Sequence, residues 1–206
     1  MKYNNIISLG GVGGCILAET LRKLNQETYP YDWLITTQGF VIKSFDNFDL
    51  FFNFDNKLLC DNNEKLITSS KNAIMLHDFK NFDLEKDEVI KKYTRRFNRL
   101  NYSLNNNNIL FVRIFDNINK ELYPKSDKWN KIFIREIENL KIWNDFIISI
   151  NKKYNKNNKL LIITDDENIS NINFNNIILY HTYNIGTISE IKKIIENTIS
   201  IIENTI

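Results

Sequence analysis

A cysteine that follows a glycine-rich loop is the residue of this chain best suited to chemistry. The apolar run at 6–9 leads into this loop, and Cys15 opens an amphipathic segment. The glycines of the loop are Gly10, Gly11, Gly13 and Gly14. This order is typical of a strand, a tight loop and a helix N-terminus, where backbone N–H groups bind anions and a thiol has a lowered pKa. It favours a cysteine nucleophile, a phosphate site or a lipid-attachment signal.

A cysteine nucleophile needs an imidazole within hydrogen-bond reach and a third group that orients the imidazole. The chain has two histidines, His77 and His181, and each follows an apolar run that indicates a strand. Asp78 lies beside His77 and joins the candidate catalytic set, although neighbouring side chains in a strand point to opposite faces. Spacing alone leaves either histidine open as the base for Cys15.

The same loop could instead bind phosphate. Glycines at 11 and 13 resemble a dinucleotide fingerprint, but the third glycine position is Ile16, and no acidic residue ends a second strand about twenty residues on. A phosphate or sugar-nucleotide site remains as an alternative. The loop 10–14 would hold the anion, Arg113 within its apolar strand would pair with it, and Asp32 and Trp33 would line the acceptor side.

Residue types also bear on metal sites and on interaction surfaces. The cysteines and histidines are too scattered for a zinc site, so no metal and no cofactor are expected. Arginines at 95, 96 and 99 are typical of a solvated helix face. Four aromatic residues could form the face of a non-catalytic interaction module. They are Tyr29, Tyr31, Trp33 and Phe40.

Composition limits the class of protein. With 206 residues and 43% hydrophobic content, the chain is expected to form a single α/β domain over 1–206. A net charge of +2 predicts no nucleic-acid partner, and the absence of a run of about 18 apolar residues predicts no membrane span. Two cysteines favour a reducing compartment, and hence the cytoplasm. The segment 12–15 loosely resembles a lipidation signal, but its apolar periodicity continues past Cys15 into the next helix.

Strand and helix patterns alternate along the chain. Strands are predicted at 5–9, 109–115, 160–164 and 177–181. Helices are predicted at 14–26, 84–103 and 187–206. Another helix is predicted directly after the turn at 29–33, and a long helix from Ser126 or Asp127 through Ile147. This alternation predicts an α/β fold with a mostly parallel central sheet, helices on both faces and a small hairpin near 56–76. A heptad repeat at 194–206 indicates a packing helix and leaves a homo-oligomer through it open.

Several short segments, in order, resemble one family. They are Ser8-Leu9-Gly10, Cys15, Ala18 with Leu21-Arg22, Tyr29-Pro30-Tyr31-Asp32-Trp33, His77-Asp78-Phe79, the arginines at 95–99 and Phe111-Val112-Arg113. Over residues 3–115 the chain resembles the family described as putative papain-like cysteine peptidases. It departs from the family pattern by an inserted Gly-Gly near the cysteine and by Tyr31 in place of Phe.

The resemblance implies that Cys15 is the nucleophile and His77 the base. It also implies a peptide, glycan or other small-molecule substrate, because proteins of this family accompany glycan-building enzymes. The resulting hypothesis is a cysteine-dependent hydrolase or transferase. The alternatives are a glycan-related transferase or sugar-nucleotide-binding domain, and a non-catalytic interaction module.

Overall fold

The computed structural model describes residues 3, 5–11, 14–58, 65–69, 73–75, 82–115, 139–165, 174–182 and 187–204. The strands are β1 (Asn5–Gly11), β2 (Leu34–Thr36), β3 (Phe54–Leu58), β4 (Lys65–Ser69), β5 (Ala73–Met75), β6 (Ile109–Phe115), β7 (Lys159–Thr164) and β8 (Ile177–His181). The helices are α1 (Gly14–Lys23), α2 (Gln38–Asp46), α3 (Phe82–Asn106), α4 (Leu140–Tyr154) and α5 (Ile188–Asn204), and a 3-10 helix spans Phe48–Phe52.

A parallel sheet with strand order β1-β6-β7-β8 confirms the predicted α/β architecture. Its inner strands are apolar and buried along their length, as parallel strands covered by helices on both faces must be. Alternate residues of each strand enter different cores. One face packs against α2, α3 and α4, and the other against α1 and α5. Helices on both faces are therefore confirmed.

The predicted hairpin is confirmed as β3 and β4, but it belongs to a larger antiparallel sheet of order β2-β5-β4-β3. The strand β2 was missed, because a helix was expected directly after the aromatic turn. Three residues are too few to show the alternation that identifies a strand. The helix α2 begins only after Thr37, whose side chain accepts a hydrogen bond from the Phe40 N–H.

The prediction of one continuous helix from 126 or 127 through Ile147 was wrong. The helix α4 begins at Leu140, because Asn139 is an extended N-cap residue whose side chain accepts from the N–H groups of Lys141 and Ile142. Positions 116–138 lie outside the described residues. The C-terminal helix α5 matches its prediction closely, and its buried isoleucines pack against the face that α1 also covers.

One buried arginine joins the two sheets. The Arg113 guanidinium on β6 donates to the carbonyl oxygens of Leu9 (2.8 Å) and Thr36 (2.9 Å) and to the Thr36 hydroxyl (3.0 Å). It also lies 5.1 Å from the ring of Trp143 on α4. The Thr36 hydroxyl donates to Leu9 and accepts from the Gly11 N–H. These bonds hold β2 against the carboxyl end of β1.

Two glycines allow this close approach. A Cβ at Gly14 would lie 2.2 Å from the carbonyl oxygen of Leu34, and one at Gly10 would lie 2.6 Å from the Thr36 hydroxyl. Gly10 also has a φ of +71°, which side-chain-bearing residues rarely adopt. The glycines of this loop thus have a packing reason, independent of any ligand.

We expect Gly14→Ala to destabilise the protein, because the new methyl group would overlap the Leu34 backbone and force β2 and α1 apart. The free energy of unfolding should fall by about 1–3 kcal/mol, the usual range for overpacking. Urea denaturation measures this change. The control is Lys23→Ala at the exposed end of α1, which should leave stability within about 0.5 kcal/mol of the wild type. Equal stability of both variants would refute the packing role of Gly14.

Candidate functional site

Cys15 lies in the first turn of α1, just beyond the carboxyl end of the parallel strand β1. Ligands of open parallel sheets bind at this edge. The thiol is partly buried, and its Sγ atom lies 4.0 Å from the carbonyl oxygen of Trp33. Burial raises the pKa of Cys15, whereas the helix N-terminus was expected to lower it. Burial at this position thus favours the neutral thiol over the thiolate.

The carbonyl that contacts this thiol belongs to a residue with unusual backbone geometry. Trp33 has a φ of +67°, in the left-handed region that non-glycine residues seldom occupy. Such conformations often lie at functional sites, where the surrounding structure enforces them. The Leu34 N–H donates to the Tyr31 carbonyl oxygen, and the Asp32 N–H donates to the Tyr29 carbonyl oxygen. These hydrogen bonds form a tight turn that constrains the backbone of Trp33.

The N–H groups of the predicted phosphate loop are already engaged at two positions. Gly10 N–H donates to the Ser8 hydroxyl at 3.0 Å, and Gly11 N–H donates to the Thr36 hydroxyl at 3.1 Å. Gly13 lies outside the described residues. The first turn of α1, which begins at Gly14, adds backbone N–H groups beside Cys15 that have no acceptor within the helix.

Arg113, the predicted phosphate partner, is engaged as well. It is only 1% exposed, and its hydrogen bonds to Leu9 and Thr36 hold the two sheets together. A guanidinium held this way would have to break structural bonds before it could pair with a phosphate.

The two histidines differ in their relation to Cys15. His77 and Asp78 lie outside the described residues, but β5 ends two residues earlier at Met75, which pairs with Leu34. His181 is the exposed last residue of β8. Three strand spacings separate β8 from β1, which amounts to roughly 14 Å. The fold thus sets His181 apart from Cys15.

Asp32, predicted to line an acceptor site, is 2% exposed. One carboxyl oxygen, Oδ2, accepts from the Tyr29 N–H at 2.7 Å. The other, Oδ1, is buried and has no hydrogen-bond partner among the described residues. Burial raises the pKa of Asp32 to about 7, against the opposing effects of the Tyr29 N–H and of Arg96 and Arg99.

The aromatic interaction face is largely absent. Tyr29, Tyr31 and Phe40 are buried, and only Trp33 is partly exposed. The Tyr31 ring stacks on Phe45 with centroids 5.7 Å apart, and its hydroxyl bonds to Ser44. Most of these rings therefore build the core under the turn and present no surface to a partner.

The α3 arginines do not share one solvated face. Arg95 is exposed and lines an open groove of about 560 Å³, but Arg96 is only 7% exposed and lies over the Tyr93 ring. Arg99 donates to the Thr28 carbonyl at 2.8 Å. Sequence reasoning missed the buried Arg96. The spacing could have indicated its burial, because Arg96 follows the buried Tyr93 by three residues and so shares its helix face.

The described part of the chain also bears on metal binding and on membrane insertion. No group of three or more metal-ligating side chains occurs there. None of its helices is long and apolar enough to cross a membrane.

We expect Asp32→Asn to stabilise the protein at pH 8. The folded-state pKa of about 7 exceeds the ordinary value of 3.8, so wild-type stability falls as pH rises from about 4 to about 7 and stays reduced above it. Asparagine has no such ionisation and can still accept from the Tyr29 N–H. Its gain over the wild type at pH 8 should be on the order of 4 kcal/mol at most, and little at pH 4.

Urea denaturation at both pH values measures this difference. Asp46→Asn is the matched control, because the Asp46 side chain is 81% exposed and should show no gain. Parallel pH profiles of wild type and Asp32→Asn would contradict the assignment of a buried, ionisable Asp32.

Comparison with known proteins identifies the family. A sequence model of the family described as putative papain-like cysteine peptidase (DUF1796) matches residues 4–135, more than half of the chain. No curated protein and no solved structure matches. The match includes β1, α1, the aromatic turn, the segment with His77, and α3 with the buried Arg96. The chain therefore belongs to the putative papain-like cysteine peptidase family.

Proposed function

We propose that this protein is a cysteine-dependent hydrolase of the acyl-transfer type, with Cys15 as nucleophile and His77 as general base. The observation that carries the proposal is the position of Cys15. Its partly buried thiol lies in a helix first turn, at the carboxyl edge of a parallel sheet, against the Trp33 carbonyl. The family description supports a peptide amide as the bond that is cleaved.

The strand register supports His77 over His181 as the base. Met75 pairs with Leu34, and the Leu34 carbonyl packs directly against Gly14, the residue before Cys15. Two residues of extended chain span at most about 7 Å, so His77 lies within that Cα distance of Met75. The described end of β5 at Met75 therefore supports the choice of His77.

The raised pKa of Cys15 makes a base necessary. A thiol that burial keeps neutral is a poor nucleophile, because the thiolate is the reactive form. A neutral imidazole that accepts the proton as sulfur attacks would overcome this, as in other cysteine and serine nucleophiles. Asp78 stays a candidate for orienting that imidazole.

The proposed reaction proceeds in two steps. Cys15 Sγ bonds to the carbonyl carbon of the amide while His77 takes the thiol proton, and N–H groups of the first turn of α1 stabilise the developing oxyanion. The C–N bond then breaks, and the imidazolium gives its proton to the leaving amine. Water, deprotonated by His77, hydrolyses the resulting thioester and regenerates the thiol.

We expect Cys15→Ala to abolish hydrolysis of fluorogenic peptide amides, and His77→Ala to reduce it by about 10²–10⁴-fold, the usual contribution of a general base. His181→Ala is the matched control and should retain full activity, because His181 lies far along the sheet. Hydrolysis that persists in Cys15→Ala would exclude the cysteine mechanism.

A second measurement is independent of the substrate. In a Cys60→Ser background, alkylation of Cys15 by iodoacetamide at pH 7 should be slower in His77→Ala than in wild type, and unchanged in His181→Ala. Equal rates in all three proteins would show that His77 does not activate the thiol.

A further inference from the structure

The carboxyl group of Asp32 closes the turn that precedes β2. Its Oδ2 atom accepts from the Tyr29 N–H at 2.7 Å, and the Asp32 N–H donates to the Tyr29 carbonyl oxygen at 3.3 Å. Hydrogen bonds of the N–H···O type usually measure about 2.7–3.2 Å, so the backbone bond is long and the carboxyl bond is short. The side chain of Asp32 therefore contributes more than the backbone to closing this turn.

The backbone of the next residue needs such support. Trp33 is the third residue of the turn 31–34, in which the Leu34 N–H donates to the Tyr31 carbonyl oxygen over an equally long 3.3 Å. A side-chain-bearing residue at the Trp33 φ of +67° relaxes unless the surrounding structure holds it there. Because Asp32 directly precedes Trp33, a fixed Asp32 limits how far the Trp33 backbone can rotate.

Other elements fix the two ends of this segment. Arg99 on α3 donates to the Thr28 carbonyl at 2.8 Å, just before the turn. After the turn, Leu34 pairs within the antiparallel sheet, and its carbonyl packs on Gly14. Between these two ends, the Asp32 carboxyl group fixes the path of the chain.

The far side of the turn reaches the thiol. The Trp33 carbonyl oxygen lies 4.0 Å from Cys15 Sγ, and the S–H group donates to it. This bond favours the neutral thiol, because the partial negative charge of the oxygen opposes a thiolate beside it. Withdrawal of the carbonyl would remove this effect and would reduce the burial of the sulfur. Both changes would lower the pKa of Cys15.

The placement of Asp32 is costly for the fold. Its side chain is 2% exposed, and Oδ1 has no hydrogen-bond partner within the part of the chain that the structure describes. The Tyr29 N–H and the charges of Arg96 and Arg99 favour its ionised form, but burial outweighs them. A group that the fold accommodates at such a cost is typical of a site where stability and activity conflict.

We propose that Asp32 is a positioning residue for Cys15. By accepting from the Tyr29 N–H, its carboxyl group holds the Trp33 carbonyl against the thiol, and so keeps Cys15 neutral and oriented until a base takes its proton. This assignment rests on the proposed function in treating Cys15 as the reactive group. It is independent of the identity of the substrate.

The test is the pH profile of Cys15 alkylation by iodoacetamide in a Cys60→Ser parent. Asp32→Leu keeps the branched shape of the side chain but removes the acceptor, so the midpoint of the profile should move to lower pH. At pH 7 the rate should rise about threefold or more, because the thiolate is the reactive form. Asp32→Asn keeps an acceptor for the Tyr29 N–H and should retain the profile of the parent.

Asn158→Ala is the matched control for a general loss of stability. Asn158 Oδ1 accepts from the Ile109 N–H at 2.8 Å, so this variant also leaves a buried backbone N–H without its side-chain acceptor. The bond lies at the amino end of β7, whereas Cys15 lies beyond the carboxyl end of β1. The profile of this variant should match that of the parent.

An unchanged midpoint in Asp32→Leu, or an equal shift in Asp32→Asn or Asn158→Ala, would overturn the positioning role. If Asp32→Leu does not fold, Asp32→Ala replaces it, and failure of both to fold would make the carboxyl group a structural requirement and overturn the proposal as well.

These results are distinguishable from failure of the proposed hydrolase, because alkylation needs no substrate. The expected shift in Asp32→Leu, without peptide hydrolysis by the wild type, would retain the positioning role and refute the hydrolase. Hydrolysis that is lost in Cys15→Ala, with a midpoint that Asp32→Leu leaves unchanged, would do the reverse.

Discussion

The contact between the Arg113 guanidinium and Thr36 is the constraint on which the rest of the site depends. It joins β6 of the parallel sheet to β2 of the antiparallel sheet, with Leu9 of β1 between them. Without it, only the bonds of the Thr36 hydroxyl to Leu9 and Gly11 and the packing of Leu34 on Gly14 would hold β2 against β1. The position of β2 bears on the thiol, because Trp33, whose carbonyl contacts Cys15, directly precedes this strand. A charge buried in the protein interior thus orders the residues around a partly buried thiol.

Burial also explains why the pKa values of the Cys15 thiol and of the Asp32 carboxyl group are both raised. The same turn, residues 29–34, buries Asp32 and contacts Cys15, so one low-dielectric environment raises the pKa of both. An enzyme with such a site would depend on proton transfer at the moment of attack and would not store a thiolate. The family model matches residues 4–135, which include both Cys15 and this turn.

Much of this arrangement could be predicted from the sequence. Long apolar runs predicted the parallel strands, and the residues around Cys15 predicted a strand, loop and helix, because these features are local. The strand β2 could not be foreseen, since three residues carry no periodicity and its place depends on Arg113, which is distant in sequence. The interruption before Leu140 depends on a single Asn139 cap within an apolar helical pattern. The charge of Arg96 predicted an exposed side chain, but the packing of α3 in the folded protein buries it.

The close contact of Gly14 with the Leu34 carbonyl changes what a glycine-rich loop signifies. Glycines between a strand and a helix are commonly taken as a nucleotide signature, yet here the close packing of β2 already accounts for Gly10 and Gly14. Relatives that keep this strand against the loop must keep glycine at the position of Gly14 even if they lose the cysteine. A motif search based on these glycines would therefore group proteins by a shared backbone contact. It would not show whether those proteins share a reaction.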